Sequence, residues 1–243
     1  MPNCQPGAAV IASLTFRCAP SLPCTGADML TFAEEFLLLA HDEKTGDFAD
    51  VGFSVMSAAL AGAALMDLAL LNRIDMDRQR LILVDPGQTG EPVLDVCLAR
   101  IGGSADLTTA EDWVDELSRH GEALRDMALE RLVARGILKR ENKRFLWVFS
   151  TRVYPMMDDR ETVEVKRRLS NILFSDEIPD PRDTFLIALA DGSDLLSRVF
   201  NPDEVDRRRE RIKGIVRLDM LGQVVCDYVR DTLNAPLIPP PGL

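Results

Sequence analysis

The sequence is poor in aromatic residues and contains only two histidines and five lysines among 243 residues. Leu, Ala, Val and Ile supply most of the apolar content, so the composition favours a mainly helical core over packed aromatic-rich strands. The chain also lacks an apolar run approaching the roughly 20 residues that a membrane span requires. We therefore expect no helix that crosses a bilayer.

Motifs of catalytic and metal sites are missing as well. The sequence contains no GxSxG, HExxH or GxGxxG motif, and His41 and His120 have no second ligand at metal spacing. The five cysteines fit no zinc spacing, and their odd number is typical of reduced cytosolic thiols. We predict a cytoplasmic, non-enzymatic protein without metal or cofactor. The alternative is an enzyme or metabolite binder with an apolar pocket lined by Asp67 and Arg125.

Positive charge is scarce overall but concentrated in one segment. The formal net charge is −11, whereas the stretch from Arg119 to Arg168 contains 13 Lys/Arg against 8 Asp/Glu. The overall acidity argues against a general nucleic-acid binder, and the basic segment favours one face for anions. Solvated helix faces are the competing interpretation. Arginine outnumbers lysine 23 to 5, which is typical of a GC-rich bacterial genome.

Two adjacent carboxylates, Glu34 and Glu35, precede a run of leucines and raise the question of an acid/base pair. Thr31 and Glu34 have the spacing of a capping box, in which each side chain accepts the other's backbone N–H. Glu35 adds negative charge at the positive end of the same helix. We predict that both glutamates have a structural role.

Hydrophobic periodicity predicts a mainly α fold, a helical bundle core with short β-hairpins in a single domain. Residues 53–71 are apolar nearly all round and are expected at the centre. Leu81 to Val84 is predicted to pair with the apolar run that follows it, and one helix is predicted to run onward from Pro202. Further helices are predicted at 93–101, 108–119 and 121–136, and a second hairpin has its polar turn at Glu141 to Arg144.

The predicted domain covers residues 30–233. Residues 1–28 contain three of the five cysteines and four prolines without helical periodicity, so we expect a disordered leader or a mis-assigned start codon. Residues 234–243 form a Pro-rich tail that is predicted to be extended.

Five segments, in order, resemble the Golgi phosphoprotein 3 family: LTFAEEFLLLAHDEKTG, SAALAGAALMDLALLNRI, DPGQTGEPVLDVCLARI, ERLVARGILKRENKRFLWVF and RDTFLIALADGSDLL. The resemblance spans about residues 30 to 233. It implies a helical bundle with a protruding hairpin and no enzymatic activity. It also implies binding of phosphatidylinositol 4-phosphate in a basic pocket beside a Trp, with the hairpin contacting membrane or a second copy. Eukaryotic members hold glycosyltransferases by their cytosolic tails.

The pocket positions of the family are only partly kept. The Trp falls near Val51 or Gly52, one Arg falls at Ala61, another falls at Glu122, and Arg125 alone is retained. A phosphate site loses most of its affinity when one charge-assisted donor remains. The resemblance thus implies weak headgroup binding, which we predict to involve the basic residues Arg125, Lys139, Arg140, Lys143 and Arg144.

The tip of the second hairpin is better preserved. Its five apolar residues are Phe145, Leu146, Trp147, Val148 and Phe149, with Lys and Arg on both sides. Apolar insertion beside basic residues suits reversible attachment to anionic lipid, and burial in a homo-oligomer is an equal alternative. Our leading prediction is a peripheral-membrane adaptor for anionic phospholipid or phosphoinositide headgroups. The alternatives are a winged-helix-like nucleic-acid binder, in which 121–136 is the recognition helix, and a protein scaffold without lipid binding.

Overall fold

The computed structural model describes residues 29–104, 106–145 and 149–235, and describes all of their side chains except those of 143–145 and 149–151. The predicted leader 1–28 and residues 236–243 of the predicted tail lie outside the described residues. Across the described ranges the protein is mainly α, as predicted, with eleven helices and two antiparallel strand pairs.

The helices begin and end close to the predicted positions in most of the chain. Their bounds are α1 Phe32–Ala40, α2 Phe53–Leu70, α3 Pro92–Gly103, α4 Ala110–Ser118, α5 Gly121–Ala134, α6 Arg160–Phe174, α7 Pro181–Gly192, α8 Leu196–Val199, α9 Pro202–Arg207, α10 Arg209–Val216 and α11 Met220–Asn234. The strands are β1 Ile74–Asp77, β2 Arg80–Leu83, β3 Glu141–Phe145 and β4 Phe149–Val153.

Helix α2 forms the centre of the bundle, as its apolar sequence predicts. It packs against α1, α3, α4, α5, α7 and α11. Small residues permit this, because a Cβ on Gly62 would lie 2.2 Å from a Val225 methyl and one on Gly121 would lie 2.3 Å from Ser57. By length and composition α2 is a candidate membrane span, but 78% of its 18 residues are buried inside the protein. That burial is typical of a core helix.

The first strand pair differs from the prediction. β2 contains Leu81 as expected, but it pairs with the preceding β1, in the register Ile74 to Leu83. The apolar run after the Pro-Gly turn forms α3, with Pro92 in its first turn. A short apolar run does not specify whether it pairs with the segment before it or the segment after it. Here the turn at Arg78 (φ 59°) connects β2 to the preceding strand β1.

The second hairpin is shifted relative to its predicted register. The residues predicted as its turn, Glu141 to Arg144, belong to β3, and Phe145 pairs with Phe149 across the hairpin. The predicted apolar strand is therefore divided, with Phe145 on β3 and Phe149 on β4, and residues 146–148 lie outside the described part of the chain.

The predicted single helix from Pro202 is three helices. α9 ends at Arg207, and α11 begins after Asp219, whose carboxylate accepts the Gly222 N–H at 2.8 Å. This side-chain cap competes with helix continuation, which periodicity alone does not register.

Candidate functional site

An open cavity of about 480 Å³ lies where the N-terminal ends of α2 and α5 meet the loop before α2. This volume is in the range of small-molecule sites. Its lining has apolar, acidic and basic members, which are Asp47, Phe48, Ala49, Asp50, Val51, Gly52, Phe53, Met56, Ser57, Gly121, Glu122, Arg125 and Asp126. We call it the α2–α5 pocket.

Arg125 is the single basic residue of the α2–α5 pocket. Its guanidinium carbon lies 4.9 Å from the centroid of the Phe48 ring, a cation–π arrangement that holds the side chain against the pocket wall. Its Nε is buried and has no hydrogen-bond acceptor within the described residues. A buried donor without an acceptor is unusual in a native protein, which singles out Arg125 among the residues of the pocket.

Four exposed carboxylates line the α2–α5 pocket together with this arginine. They are contributed by Asp47 and Asp50 from the loop and by Glu122 and Asp126 from α5. The Asp126 carboxylate lies 3.9 Å from the guanidinium of Arg152 on β4. The rim of the α2–α5 pocket is therefore acidic, although its floor contains a guanidinium.

The pocket wall is attached to the base of the β3–β4 hairpin. The Tyr154 N–H donates to the Gly46 carbonyl at 2.7 Å, and the buried His41 donates from Nε2 to the Tyr154 carbonyl at 2.7 Å. The rings of Phe48 and Tyr154 also pack at 6.0 Å. These contacts place the α2–α5 pocket and the hairpin on adjacent parts of one surface.

The structure places the predicted basic residues at two separate locations. Arg125 lines the pocket, whereas Lys139 and Arg140 are exposed just before β3, with Lys139 Nζ 2.8 Å from Glu141. Lys143, Arg144, Phe145 and Phe149 are placed on the two strands by their backbone alone, and their side chains lie outside the described part. Leu146, Trp147 and Val148 lie outside it entirely. Lys139 and Arg140 precede β3 directly and lie at the base of the hairpin, where the Lys139 N–H donates to the Pro155 carbonyl at 2.9 Å.

A second cluster of charged residues lies at the N-terminal end of α1. Its contacts show that Glu34 and Glu35 have structural partners. The predicted capping box is confirmed, since Thr31 N–H donates to Glu34 at 2.7 Å and Glu34 N–H donates to Thr31 at 3.3 Å. Each glutamate also has distant arginine partners that the sequence does not reveal. Arg131 lies 3.0 Å from Glu34, and Arg168 and Arg182 both lie 3.1 Å from Glu35.

Asp67 belongs to this second, buried cluster. Its carboxylate accepts the Phe32 N–H at 2.9 Å, and burial raises the pKa of Asp67 to about 7. It lines a different cavity, of about 330 Å³, together with Glu91 and Arg182. The alternative site formed jointly by Asp67 and Arg125 is therefore wrong. No three His, Cys, Asp or Glu side chains are grouped as metal ligands in the described ranges.

The fold and the site define a class of mainly helical proteins with a central apolar helix, a surface pocket and an adjacent hairpin. The chain belongs to the Golgi phosphoprotein 3 family, whose sequence profile matches residues 32–235. Relatives include Vacuolar protein sorting-associated protein 74 of Eremothecium gossypii, 29% identical over 216 residues, and that of Schizosaccharomyces pombe, 29% identical over 233 residues. These alignments cover 74% and 82% of this chain, and 64% and 67% of the relatives.

The pocket positions carried over from the family do not all converge. Val51, Gly52, Glu122 and Arg125 line the α2–α5 pocket, whereas Ala61 is fully buried in α2 and does not. Sequence reasoning missed Phe48 and the acidic residues Asp47 and Asp50. Their loop is held by contacts with Ala40 and His41 at the end of α1 and with the distant Tyr154, and no local sequence pattern predicts its place in the pocket.

Proposed function

We propose that this protein is a non-enzymatic adaptor that attaches reversibly to an anionic membrane surface through the hairpin end of the molecule. The observation that carries the proposal is the adjacency of the α2–α5 pocket, in which Arg125 has no ion pair within the described residues, to the base of a hairpin that has a basic flank. Membership of the Golgi phosphoprotein 3 family supports the proposal of membrane attachment, because the Golgi apparatus is a membrane organelle.

The hairpin base supplies the electrostatic part of the attachment. Lys139 and Arg140 are exposed, Lys143 and Arg144 follow on β3, and Arg152 is exposed on β4. A basic residue near an anionic surface contributes up to about 1 kcal/mol, and the contribution declines with salt. The remainder of the chain is acidic and would be repelled, so the hairpin end is the part that faces the lipid.

The hairpin tip supplies the apolar part in this proposal. The five residues Phe145 to Phe149 are large and apolar, and the paired strands hold the ends of this stretch side by side. Shallow insertion of such a tip, together with the basic flank, provides the two signals that stable but reversible membrane attachment requires.

Vesicle flotation tests the proposal. Purified protein is mixed with phosphatidylcholine vesicles, or with vesicles that also contain phosphatidylglycerol, at low and high salt. We expect flotation only with the anionic vesicles and a loss at high salt. Lys139→Gln with Arg140→Gln should weaken partitioning about ten-fold, because two surface charges are removed.

The matched control replaces the exposed Arg198 and Arg207, which lie on α8 and α9, by Gln. This control should float like the native protein. Equal loss in both double variants would mean that net charge alone matters and that the hairpin is not the contact.

The F145S/W147S/F149S variant separates membrane contact from self-association. Loss of flotation at unchanged molecular mass supports insertion of the tip. Loss of oligomer mass with unchanged flotation would assign the tip to a protein interface and refute its membrane role.

Binding of duplex DNA is not favoured by the face that α5 exposes. Leu124, Ala128 and Leu132 are buried against the core. The exposed charged residues of this helix are Glu122, Asp126 and Glu130, which would meet phosphates with like charge.

A further inference from the structure

The α2–α5 pocket contains donors suited to one phosphate group. α2 and α5 are 18 and 14 residues long, and neither N-cap residue, Gly52 or His120, forms a side-chain cap within the described residues. At the start of α2 the Asp50 carboxylate accepts the Gly52 N–H at 3.3 Å, and the N–H groups of the first turn follow it. The first N–H groups of a helix have no intrahelical acceptor, and its N-terminal end carries partial positive charge. Two such ends therefore line a single cavity.

Arg125 adds the third element of this donor set. It lies one turn into α5, and its buried Nε lacks an acceptor in the described structure. Its contact with Phe48 fixes the guanidinium on the pocket wall. A phosphate oxygen at this point would satisfy a donor that the protein itself leaves unsatisfied.

The rim of the same pocket has the opposite character. Asp47, Asp50, Glu122 and Asp126 supply four carboxylates to the lining against the guanidinium of Arg125, with a second guanidinium, that of Arg152, 3.9 Å from Asp126 outside the lining. A polyanionic headgroup, such as an inositol ring with an additional phosphate, would place its second negative group among these carboxylates. Like charges close together oppose binding, so the rim selects against such a ligand.

We propose that the α2–α5 pocket binds a zwitterionic phosphate–ammonium group of the phosphoethanolamine class. The phosphate lies against Arg125 and the N-terminal ends of α2 and α5, and the primary ammonium lies among the rim carboxylates. The inference rests on the proposed function only in placing the pocket beside the membrane-facing hairpin. A soluble compound and a lipid headgroup share this chemistry, and the experiment has an arm for each.

The lining also distinguishes a primary ammonium from a quaternary one. Quaternary ammonium groups are recognised by several aromatic faces arranged as a cage. In this pocket the Phe48 ring is already covered by Arg125, which leaves Phe53 as the other aromatic ring of the described lining. Carboxylate oxygens, in contrast, accept the three N–H donors of a primary ammonium.

Isothermal titration calorimetry tests whether the pocket binds a soluble compound that carries this group. The protein is titrated with glycerophosphoethanolamine, glycerophosphocholine and glycerophosphoinositol 4-phosphate in a buffer with EDTA, which excludes bridging by divalent cations. We expect the ethanolamine compound to bind most tightly, and Arg125→Gln to weaken it at least about ten-fold through loss of a charge-assisted contact. The matched control, Arg198→Gln, removes one exposed positive charge from α8 and should bind like the native protein.

The decisive variant is E122Q/D126N, because its predicted effects have opposite signs. It should weaken glycerophosphoethanolamine and strengthen glycerophosphoinositol 4-phosphate, each by about five-fold or more. Its control, D77N/E130Q, removes two exposed carboxylates outside the pocket and should change neither affinity by more than two-fold. Stronger binding of both compounds by E122Q/D126N would overturn the proposal in favour of a simple anion site.

The membrane arm identifies the source of the group. At a fixed phosphatidylglycerol content, phosphatidylethanolamine replaces phosphatidylcholine in the vesicles, and flotation of native protein and Arg125→Gln is compared. An ethanolamine-dependent increase that Arg125→Gln abolishes supports a lipid headgroup, whereas calorimetric binding without that increase supports a soluble ligand. Absence of binding in both arms would overturn this inference, while salt-sensitive flotation on anionic vesicles would leave the proposed function intact.

Discussion

The two charged regions of this protein use the same residue types in opposite ways. In the buried cluster at the start of α1, Glu34 and Glu35 each have arginine partners at about 3 Å, and Arg168 also binds Asp183 at 3.0 Å. In the α2–α5 pocket, Arg125 has no ion pair among the described residues. Four solvent-exposed carboxylates line the same pocket.

The difference separates stability from binding. Charges that are buried must be paired, because an unpaired buried charge loses its hydration without compensation. The α1 cluster follows this rule and connects α1, α5, α6 and α7. The α2–α5 pocket is open to solvent and gives Arg125 no ion pair within the described residues, which leaves the guanidinium for a bound group. The adjacent glutamates Glu34 and Glu35 thus belong to the region that stabilises the fold. Arg125, which has no ion pair within the described residues, belongs to the candidate binding site.

The largest expected effect is on the paired region. Arg182→Ala removes one of the two arginine partners of Glu35, a hydrogen bond to the Leu30 carbonyl and a cation–π contact with Phe32. We expect the free energy of unfolding to fall by about 3 kcal/mol, as for other broken buried pairs. Urea denaturation provides the measurement. Arg198→Ala is the exposed control, and a similarly small change in both variants would contradict a stabilising role for the cluster.

The second largest effect is expected in the pH dependence of the free energy of unfolding, to which the buried carboxyl of Asp67 contributes. Burial raises the pKa of Asp67 from 3.8 to about 7 in the folded protein, so the native state binds a proton that the unfolded state has already released. Stability due to this group is present below about pH 4 and is lost as the pH rises to about 7. The slope for one proton is at most about 1.4 kcal/mol per pH unit.

Asp67→Asn should flatten this slope between pH 4 and 7, because an amide retains an acceptor for the Phe32 N–H without titrating. Glu34, Glu35 and Arg182 face the same carboxylate and remain in the variant. Urea midpoints at several pH values provide the measurement, and an unchanged slope would show that another group is responsible.

A smaller effect is expected where α5 crosses α2 beneath the candidate site. A Cβ at Gly121 would lie 2.3 Å from the Ser57 side chain and 2.6 Å from its Cα, so Gly121→Ala forces the helices apart. We expect a loss of about 1–3 kcal/mol and weaker ligand binding in the α2–α5 pocket. At Gly214, which has open space around it, the same substitution should raise stability by up to about 1 kcal/mol. Equal stability of both variants would contradict the close packing.

Much of this fold could be predicted because its helices have strong local signals. The apolar α2, the capping box at Thr31 and the Pro at the start of α7 are all visible in the sequence. Strand pairing was predicted less well, since the partner of β2 depends on a turn at Arg78 that has an ordinary sequence. The periodicity after Pro202 predicts one long helix, whereas the structure has three, because local caps such as the one at Asp219 end a helix without interrupting the hydrophobic periodicity.

The candidate site was less predictable than the fold. Arg125 was identified through the family resemblance, but its surroundings depend on tertiary contacts. The Asp47–Asp50 loop contacts both the end of α1 and Tyr154, which is more than a hundred residues away in sequence, and its Phe48 ring meets Arg125 on α5. The arginines that neutralise Glu34 and Glu35 are equally distant, so neither charged region could be assembled from local patterns.

The smallest expected effect is the stability change in Arg125→Gln, and it completes the comparison with Arg182→Ala. The substitution loses a cation–π contact of about 0.5–1 kcal/mol but also removes a buried Nε that lacks an acceptor. These two contributions oppose each other, so we expect the free energy of unfolding to stay within about 1 kcal/mol of the native value. A loss as large as that of Arg182→Ala would mean that Arg125 stabilises the fold, and would remove the reason for treating it as a binding residue. A near-neutral result, together with weakened ligand binding, would show that the protein keeps this arginine for a partner outside its own chain.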